Sequence, residues 1–177
     1  NDCRRKCIKI LNPLGDEYSC LRTQLVTSML TVISTNISRK NECARLFEIS
    51  RLFIPKALPL TEQPEEKPAL CIGLYGKDED FFTLKGSVEE IFDLFGANPE
   101  YQRSDEVYLH PGRQARAVID GETVAVFGEI HPDIAEKYGI DTRVYTAEVS
   151  LEPLYSSVKP QPVYKPLPKF PAVTRDL

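Results

Sequence analysis

The spacing of apolar residues changes along the chain from a helical to a strand-like period. Apolar side chains recur every three or four residues over 25–37, which predicts a helix buried on more than one side. Residues 45–53 alternate instead, and a period of two predicts a strand with one apolar face and one mixed face. The short apolar run at 69–75 predicts another strand. Prolines and glutamates over 55–68 indicate an exposed loop between the two.

Capping and turn signals predict the elements of the second half of the chain. Ser87 and Glu90 have the spacing of a capping box, which predicts a helix over 88–95. Asp120 and Gly121 separate two alternating runs and predict a hairpin, because a type I′ turn requires positive φ angles.

Shorter segments complete the predicted order. They are a strand over 6–11, a short helix opened by His131 and Pro132, a strand over 143–149 and a helical turn over 151–155. Because hairpins replace the longer spacing of βαβ units, this order predicts an antiparallel sheet with helices on one side. That arrangement is an α+β fold.

The last residues differ in composition from the rest of the chain. Five prolines fall within the twelve residues 160–171. Such a segment favours extended polyproline geometry and acts as a semi-rigid spacer, while a ligand for an SH3-type domain is the alternative. We therefore expect one module over 1–158 and a proline-rich linker in the segment 159–177.

Charge and apolar content limit the classes of function. The 177-residue chain has a net charge of −4 and its longest basic run is Arg4, Arg5 and Lys6, so direct nucleic-acid binding is not predicted. No apolar run approaches the roughly 20 residues that cross a bilayer. The first residue is not Met and no apolar signal segment follows it, which favours a piece of a longer cytoplasmic chain.

The cysteines and histidines lack the spacing of a metal or catalytic site. Five cysteines are an odd number without framework spacing, which favours reduced cytosolic thiols. Cys3 and Cys7 resemble half of a metal site, but His110 and His131 are the only histidines, and each precedes a proline in a predicted turn. We therefore predict ordinary thiols, turn histidines and no metal site. Arg113 is expected to be solvated or ion-paired rather than an anion ligand.

Six stretches, taken together and in order, resemble the β subunit of bacterial phenylalanyl-tRNA synthetase. They are "NPLGDEYSCLRTQL" (12–25), "RLFEISRLF" (45–53), "LKGSVEEIFDLFG" (84–96), "YLHPGRQARAVIDGE" (108–122), "FGEIHPDIAEKYGI" (127–140) and "YKPLPKFPAVTRDL" (164–177). The resemblance implies a catalytic-like module over 1–158, with a class II aminoacyl-tRNA synthetase-like antiparallel sheet flanked by helices. It also implies that 159–177 holds the linker and the truncated start of a C-terminal anticodon-binding domain.

The same resemblance implies that the nucleotide-binding motifs of the class II fold are degenerate in this chain. The second motif is a strand ending in Phe-Arg-x-Glu, whose Arg grips the α-phosphate of ATP. Phe53 matches, but Ile54 stands at the Arg position and Lys56 at the Glu position. Isoleucine cannot donate to a phosphate, and lysine inverts the charge of the carboxylate. In the third motif, Pro153 stands at the Arg position. We therefore predict that the module has no catalytic, cofactor-binding or metal-binding residues and does not activate phenylalanine alone.

The function implied by the resemblance is assembly with an α subunit that carries the active site. The expected complex is an α2β2 heterotetramer in the cytoplasm. It uses ATP and Mg²⁺ to attach phenylalanine to tRNA(Phe), which other modules contact. Pro13 resembles the motif-one proline at the class II dimer interface, and Leu21, Arg22, Leu25 and Met29 follow it. We predict an interface there, with an exposed apolar patch near Pro13, while the alternative for Leu21, Leu25 and Met29 is that they are core residues.

A different class of function remains open at this point. Glu48 and Ser50 lie on the mixed face of the strand over 45–53, and they would suit a relic small-molecule-binding domain that keeps a ligand cleft without chemistry. Direct contact with tRNA is a further alternative, which the acidic net charge disfavours.

Overall fold

The protein folds around a six-stranded sheet with helices packed on it, as a computed structural model describes it over residues 5–16 and 19–156. The elements in chain order are α1 (Val26–Ser38), β1 (Ala44–Ile54), β2 (Glu65–Tyr75), α2 (Phe81–Phe95), β3 (Glu100–Arg103), β4 (Leu109–Ile119), β5 (Glu122–Ile130), α3 (Pro132–Lys137), β6 (Val144–Ser150) and α4 (Leu151–Tyr155). The strand order is β1-β2-β6-β5-β4-β3, and every neighbouring pair is antiparallel. The predicted linker and domain start in 159–177 lie outside the described residues.

Helices cover both faces of the sheet, which corrects the prediction that they lie on one side. On one face, which we name the α1 face, Met29 and Ile33 of α1 pack over Cys71 and Tyr75. The opposite face, which we name the α2 face, packs against α2 and α4. The reason is that the middle strands are apolar on both sides, since residues 69–75 of β2 are all buried. A strand of this kind needs a cover on each face.

The helix α2 begins earlier than the capping box predicted. Its N-cap is Asp80, whose carboxylate accepts a hydrogen bond from the Thr83 N–H at 2.7 Å. The Ser87 hydroxyl instead donates to the Thr83 carbonyl one turn back, inside the helix. The predicted capping box at Ser87 is therefore wrong, because Asp80 supplies the cap seven residues, or about two turns, earlier. Gly96 ends the helix with a φ of 67°, as its position predicted.

The strands also differ from their predicted bounds. The predicted strand over 6–11 is wrong, since within the described residues it is a single antiparallel bridge between Lys9 and Cys20. The strand β2 begins at Glu65 rather than 69, and so includes Pro68. Proline is tolerated there because β6 first pairs with β2 at Ala69, leaving the backbone at position 68 without a partner on that side.

The hairpin between β4 and β5 follows the sequence closely. Asp120 has a φ of 50° and Gly121 a φ of 83°, so both turn residues adopt the positive φ that the pair predicted. Elsewhere in the sheet, glycine permits close packing. A Cβ atom at Gly73 would lie 2.7 Å from the Met29 sulfur, so the bare backbone of β2 allows α1 to approach this closely.

Candidate functional site

The side chain of Arg22 lies over the α1 face of β1, the mixed face that the family resemblance assigns to the second class II motif. Its Nη1 donates to Glu48 Oε1 at 2.6 Å, and its Nη2 donates to Ser50 Oγ. The Arg22 carbonyl also accepts from the Phe53 N–H at 2.9 Å, so its backbone continues the pairing beyond the edge of β1. One residue of the chain therefore covers the mixed face where that strand approaches its end.

A row of side chains crosses the α1 face beneath Arg22. Glu48, Cys71 and Glu148 are direct partners in the register of β1, β2 and β6. Burial raises the pKa of the Cys71 thiol, and the two flanking carboxylates raise it further. Cys71 is therefore a protonated, inert thiol at the centre of the row.

The carboxylate of Glu148 anchors the start of α1. It accepts a hydrogen bond from the Leu25 N–H at 2.5 Å, at the N-cap position of the helix. Leu25 has no side chain able to cap, and the Glu148 carboxylate from β6 takes that role. A negative charge at a helix N-terminus also interacts favourably with the helix dipole. The contact fixes where α1 begins and therefore where Arg22 lies.

The two positions that the family resemblance assigns to the second motif, Ile54 and Lys56, lack the arginine and the carboxylate of that motif. Ile54 is half-buried at the end of β1, and it offers no donor. Lys56 is exposed, and its ammonium pairs with Glu62 of the following loop at 3.1 Å. The cation at position 56 is therefore matched by an acidic neighbour within the chain.

Pro153, which the resemblance assigns to the third motif, lies in the first turn of α4. Proline is tolerated there because the first N–H groups of a helix have no partner within it. The register places Ser150, which precedes α4, in one row with Ala69 and Ser50. The start of α4 therefore lies beside the end of β1, where Ile54 is found. Neither Pro153 nor Ile54 is the arginine that the resemblance would place there.

The predicted interface residues divide into exposed and buried groups. Pro13 is exposed, and Leu21 and Arg22 are partly exposed. Leu25 and Met29 are buried in this chain's own core under α1. Their contact with a partner stays a prediction, and the structure gives Leu25 and Met29 a packing role within the chain.

Large apolar side chains flank Pro13 on the surface. Leu11 is 96% exposed and Leu14 is 100% exposed, with Ile10 close by in sequence. A second apolar pair, Phe47 and Ile49, lies on the α2 face of the edge strand β1, beyond the reach of α2. The exposed leucines agree with the apolar patch predicted near Pro13. The exposure of Phe47 and Ile49 was not predicted from the alternation of β1, because a period of two does not say which face is covered.

The remaining candidate residues have local structural roles. The guanidinium of Arg113 forms an ion pair with both oxygens of Glu129, which is buried, and this hydrogen bonding raises the pKa of Arg113. The ion-paired interpretation of Arg113 is confirmed. His110 and His131 each accept a hydrogen bond from the backbone N–H two residues further on. His131 caps α3, but His110 lies within β4, so its predicted position in a turn is wrong. Within 5–16 and 19–156, no cluster of three or more His, Cys, Asp or Glu side chains could hold a metal ion.

Glu48 and Ser50, which supported the relic-ligand alternative, are both bound by Arg22. An open cleft of about 460 Å³ lies further along the sheet, lined by Asp105, Arg116 and Val126 among others. In the part of the chain that the structure describes, no helix is long and apolar enough to cross a membrane.

Comparison with known proteins identifies the family to which this chain belongs. Residues 1–151 match the family described as the phenylalanyl tRNA synthetase beta chain CLM domain. The chain belongs to this family. The phenylalanine–tRNA ligase beta subunits of Clostridium acetobutylicum and Clostridium tetani are each 41% identical to it over 98% of its length. The chain spans about a fifth of those relatives, since it covers 22% of each.

Solved structures place the β-chain module in the class II synthetase fold. Pyrrolysyl-tRNA synthetase from Desulfitobacterium hafniense superposes with a TM-score of 0.66, over 87% of this chain and 54% of that one, at 17% identity. A second structure of that synthetase gives a TM-score of 0.64 over 81% of this chain and 51% of that one, at 18% identity. At this identity the likeness shows the fold alone. The predicted class II-like sheet flanked by helices is confirmed.

Sequence reasoning missed the role of Glu148. It contacts Leu25 across 123 residues of sequence, and no local pattern signals a cap supplied by a distant strand. Arg22 was named as a candidate interface residue, but its contacts with Glu48 and Ser50 were not predicted. The nearest available signal was the pair of polar residues on the mixed face of β1, which required a partner if that face was covered.

Proposed function

We propose that this chain is a non-catalytic module of a phenylalanyl-tRNA synthetase β subunit that supports assembly with the α subunit. The observation that carries the proposal is the contact of Arg22 with Glu48 and Ser50. An arginine of the chain itself fills the nucleotide-facing surface of the second motif. The module then contributes its shape, and the α subunit contributes the chemistry.

The loss of nucleotide binding follows from the three motif positions. Ile54 and Pro153 stand where two phosphate-gripping arginines are expected, and each charge-assisted hydrogen bond is typically worth roughly 1.5–3 kcal/mol. Lys56, at the carboxylate position, is paired with Glu62. Catalysis of phosphoryl chemistry depends largely on such preorganised charges. A site without them does not activate an amino acid.

Support for assembly comes from the apolar surface beside Pro13. Leu11 and Leu14 are almost entirely exposed, and a leucine fully buried at an interface contributes roughly 1.5–3 kcal/mol. Arg22 and the start of α1 adjoin this segment in sequence. A partner that buried the two leucines would contact the same region that the motif-one proline marks.

The proposal extends to the complete enzyme. We expect an α2β2 complex in the cytoplasm, with ATP and Mg²⁺ held by the α subunit and tRNA(Phe) contacted through other modules. The residues Ile54, Lys56 and Pro153 leave this module without a nucleotide ligand, so the cofactors belong elsewhere in the assembly.

Co-expression with the α subunit of the same organism tests this function. The full chain carrying Leu11→Ser and Leu14→Ser should bind α at least tenfold more weakly, which corresponds to about 1.4 kcal/mol. Leu94→Ser is the matched control, because Leu94 is also highly exposed but lies on α2. Sizing and titration of the complexes measure the effect. Equal affinity of both variants for the α subunit would contradict the proposed interface.

A further inference from the structure

The thiols of Cys7 and Cys20 meet on the surface beside Pro13. Their sulfur atoms lie 2.7 Å apart, although the residues are 13 positions apart in sequence. Cys20 is exposed and Cys7 is partly exposed, so small reagents reach both. The contact is not used by the fold core or by the degenerate motifs.

A short backbone ladder holds the two cysteines in place. The Ile10 N–H donates to the Ser19 carbonyl at 2.8 Å, and the Leu21 N–H donates to the Ile8 carbonyl at 2.8 Å. Lys9 and Cys20 are direct partners in this antiparallel bridge. Cys7 lies two positions before Lys9 and therefore on the same side of the ladder as Cys20, as diagonal neighbours do.

We propose that Cys7 and Cys20 form a redox-active thiol pair that closes to an intramolecular disulfide. With hydrogen peroxide as the oxidant, the thiol of Cys20 is oxidised first, because it is the more exposed, and it becomes a sulfenic acid with release of one water. The Cys7 sulfur then attacks the Cys20 sulfur. The S–O bond breaks, the S–S bond forms and a second water leaves. Two protons and two electrons pass from the pair to one peroxide.

The pH dependence of this step follows from the hydrogen bond between the thiols. That hydrogen bond raises the pKa of Cys7, and partial burial adds to it. Since the thiolate is the nucleophile, closure should accelerate as the pH rises above neutrality. Disulfides in reducing compartments are usually transient and redox-sensing, which suits a reversible pair of this kind.

The bond would constrain the segment that carries the exposed apolar surface. It closes a loop over 7–20, which contains Leu11, Pro13 and Leu14 and ends two residues before Arg22. A cross-link over a loop of this length restricts the unfolded chain, and we expect the oxidised form to melt roughly 5–10 °C higher. The proposal does not depend on the assembly function, since both readouts use the chain without a partner.

Peptide mapping of the full chain tests the pair. The Cys3→Ser chain is reduced, treated with an equimolar amount of hydrogen peroxide, alkylated and digested with trypsin without reductant. We expect peptides 7–9 and 10–22 to be joined, to separate on adding dithiothreitol, and to be absent as a joined species in Cys7→Ser and Cys20→Ser. Cys43→Ser is the control, because Cys43 is exposed but lies outside the pair, and it should behave like its parent.

Two outcomes would overturn the proposal. One is alkylation of both Cys7 and Cys20 to the same extent as Cys43 after oxidation. The other is a joined species that links either cysteine to Cys43. A melting temperature that rises in the oxidised parent and not in Cys20→Ser supports the pair through a readout independent of mapping.

Discussion

Arg22 and Glu48 are joined by a 2.6 Å ion pair that links the segment before α1 to the mixed face of β1. The pair is partly screened, because the side chains are 38% and 30% exposed. Further hydrogen bonds add to its contribution to stability, since the Arg22 side chain also donates to Ser50 and its carbonyl accepts from the Phe53 N–H. A single residue thus connects the predicted interface segment to the strand that the resemblance assigns to the second motif.

Removing the Arg22 side chain should destabilise the fold modestly. Arg22→Ala leaves Glu48 and Ser50 without their partner, and we expect a loss of about 1 kcal/mol in the free energy of unfolding, discounted for solvent screening. Arg22→Lys should recover only part of this, because lysine lacks the two-pronged guanidinium. Urea denaturation measures both. The matched control is Arg51→Ala on the opposite face of β1, whose ion pair with Glu66 is solvent-exposed and should contribute about 0.5 kcal/mol or less.

Three glycine substitutions should rank by what their Cβ atoms meet. At Gly128 the Cβ would lie 2.5 Å from the Arg113 carbonyl oxygen, whereas at Gly73 it would meet the flexible end of Met29 at 2.7 Å. We expect Gly73→Ala to destabilise by about 1–3 kcal/mol and Gly128→Ala by more, because backbone yields less than a side chain. At Gly86 within α2 the Cβ meets nothing within 4 Å, so Gly86→Ala should stabilise by about 0.5–1 kcal/mol. Thermal or urea unfolding gives the order, and a reversed order would contradict the packing described.

The Asp80 cap should make stability depend on pH in the acidic range. The hydrogen bond from the Thr83 N–H lowers the pKa of Asp80 in the folded state, so its contribution is present above the unfolded pKa and is lost as the pH falls through the folded pKa. Asp80→Asn retains a capping oxygen without the charge. We expect the melting temperatures of the parent and Asp80→Asn to differ at neutral pH and to converge below about pH 4. A difference that stayed constant across this range would contradict the account.

Phenylalanine, ATP and phenylalanyl-adenylate analogues should not stabilise this chain. A ligand that binds the folded state raises the melting temperature. At a concentration one hundred times its Kd, it adds about 2.7 kcal/mol to the free energy of unfolding. We expect no rise with phenylalanine, ATP or a phenylalanyl-adenylate analogue at millimolar concentration. A rise with the adenylate analogue that Arg116→Ala abolished would instead assign the cleft lined by Asp105 and Arg116 to a retained ligand.

The sequence predicted those helices, strands and turns that depend on residues close together in the chain. The alternation of β1, the turn at Asp120 and Gly121, the end of α2 at Gly96 and the short helix after His131 all follow from periods, φ preferences and caps. The degenerate motif positions Ile54, Lys56 and Pro153 required the family resemblance as well, and their functional meaning stays a prediction.

The relationships that define the site are not local, and the sequence did not reveal them. The helix α2 is capped by Asp80 rather than Ser87 because its apolar stripe extends back to Phe81, which packs on the sheet. The exposed position of Phe47 and Ile49 depends on how far α2 reaches across the strands, which alternation in β1 cannot encode. The Glu148 cap and the Arg22 bridge each join residues far apart in the chain.

Phenylalanine-dependent exchange of pyrophosphate into ATP by the complex of this chain with its α subunit tests the central claim most directly. With Ile54→Ala and Lys56→Ala in the full chain, the account predicts an exchange rate within about twofold of the unsubstituted complex, and no exchange without α. A fall of about tenfold or more in a complex that still assembles, or exchange by this chain alone, would contradict it.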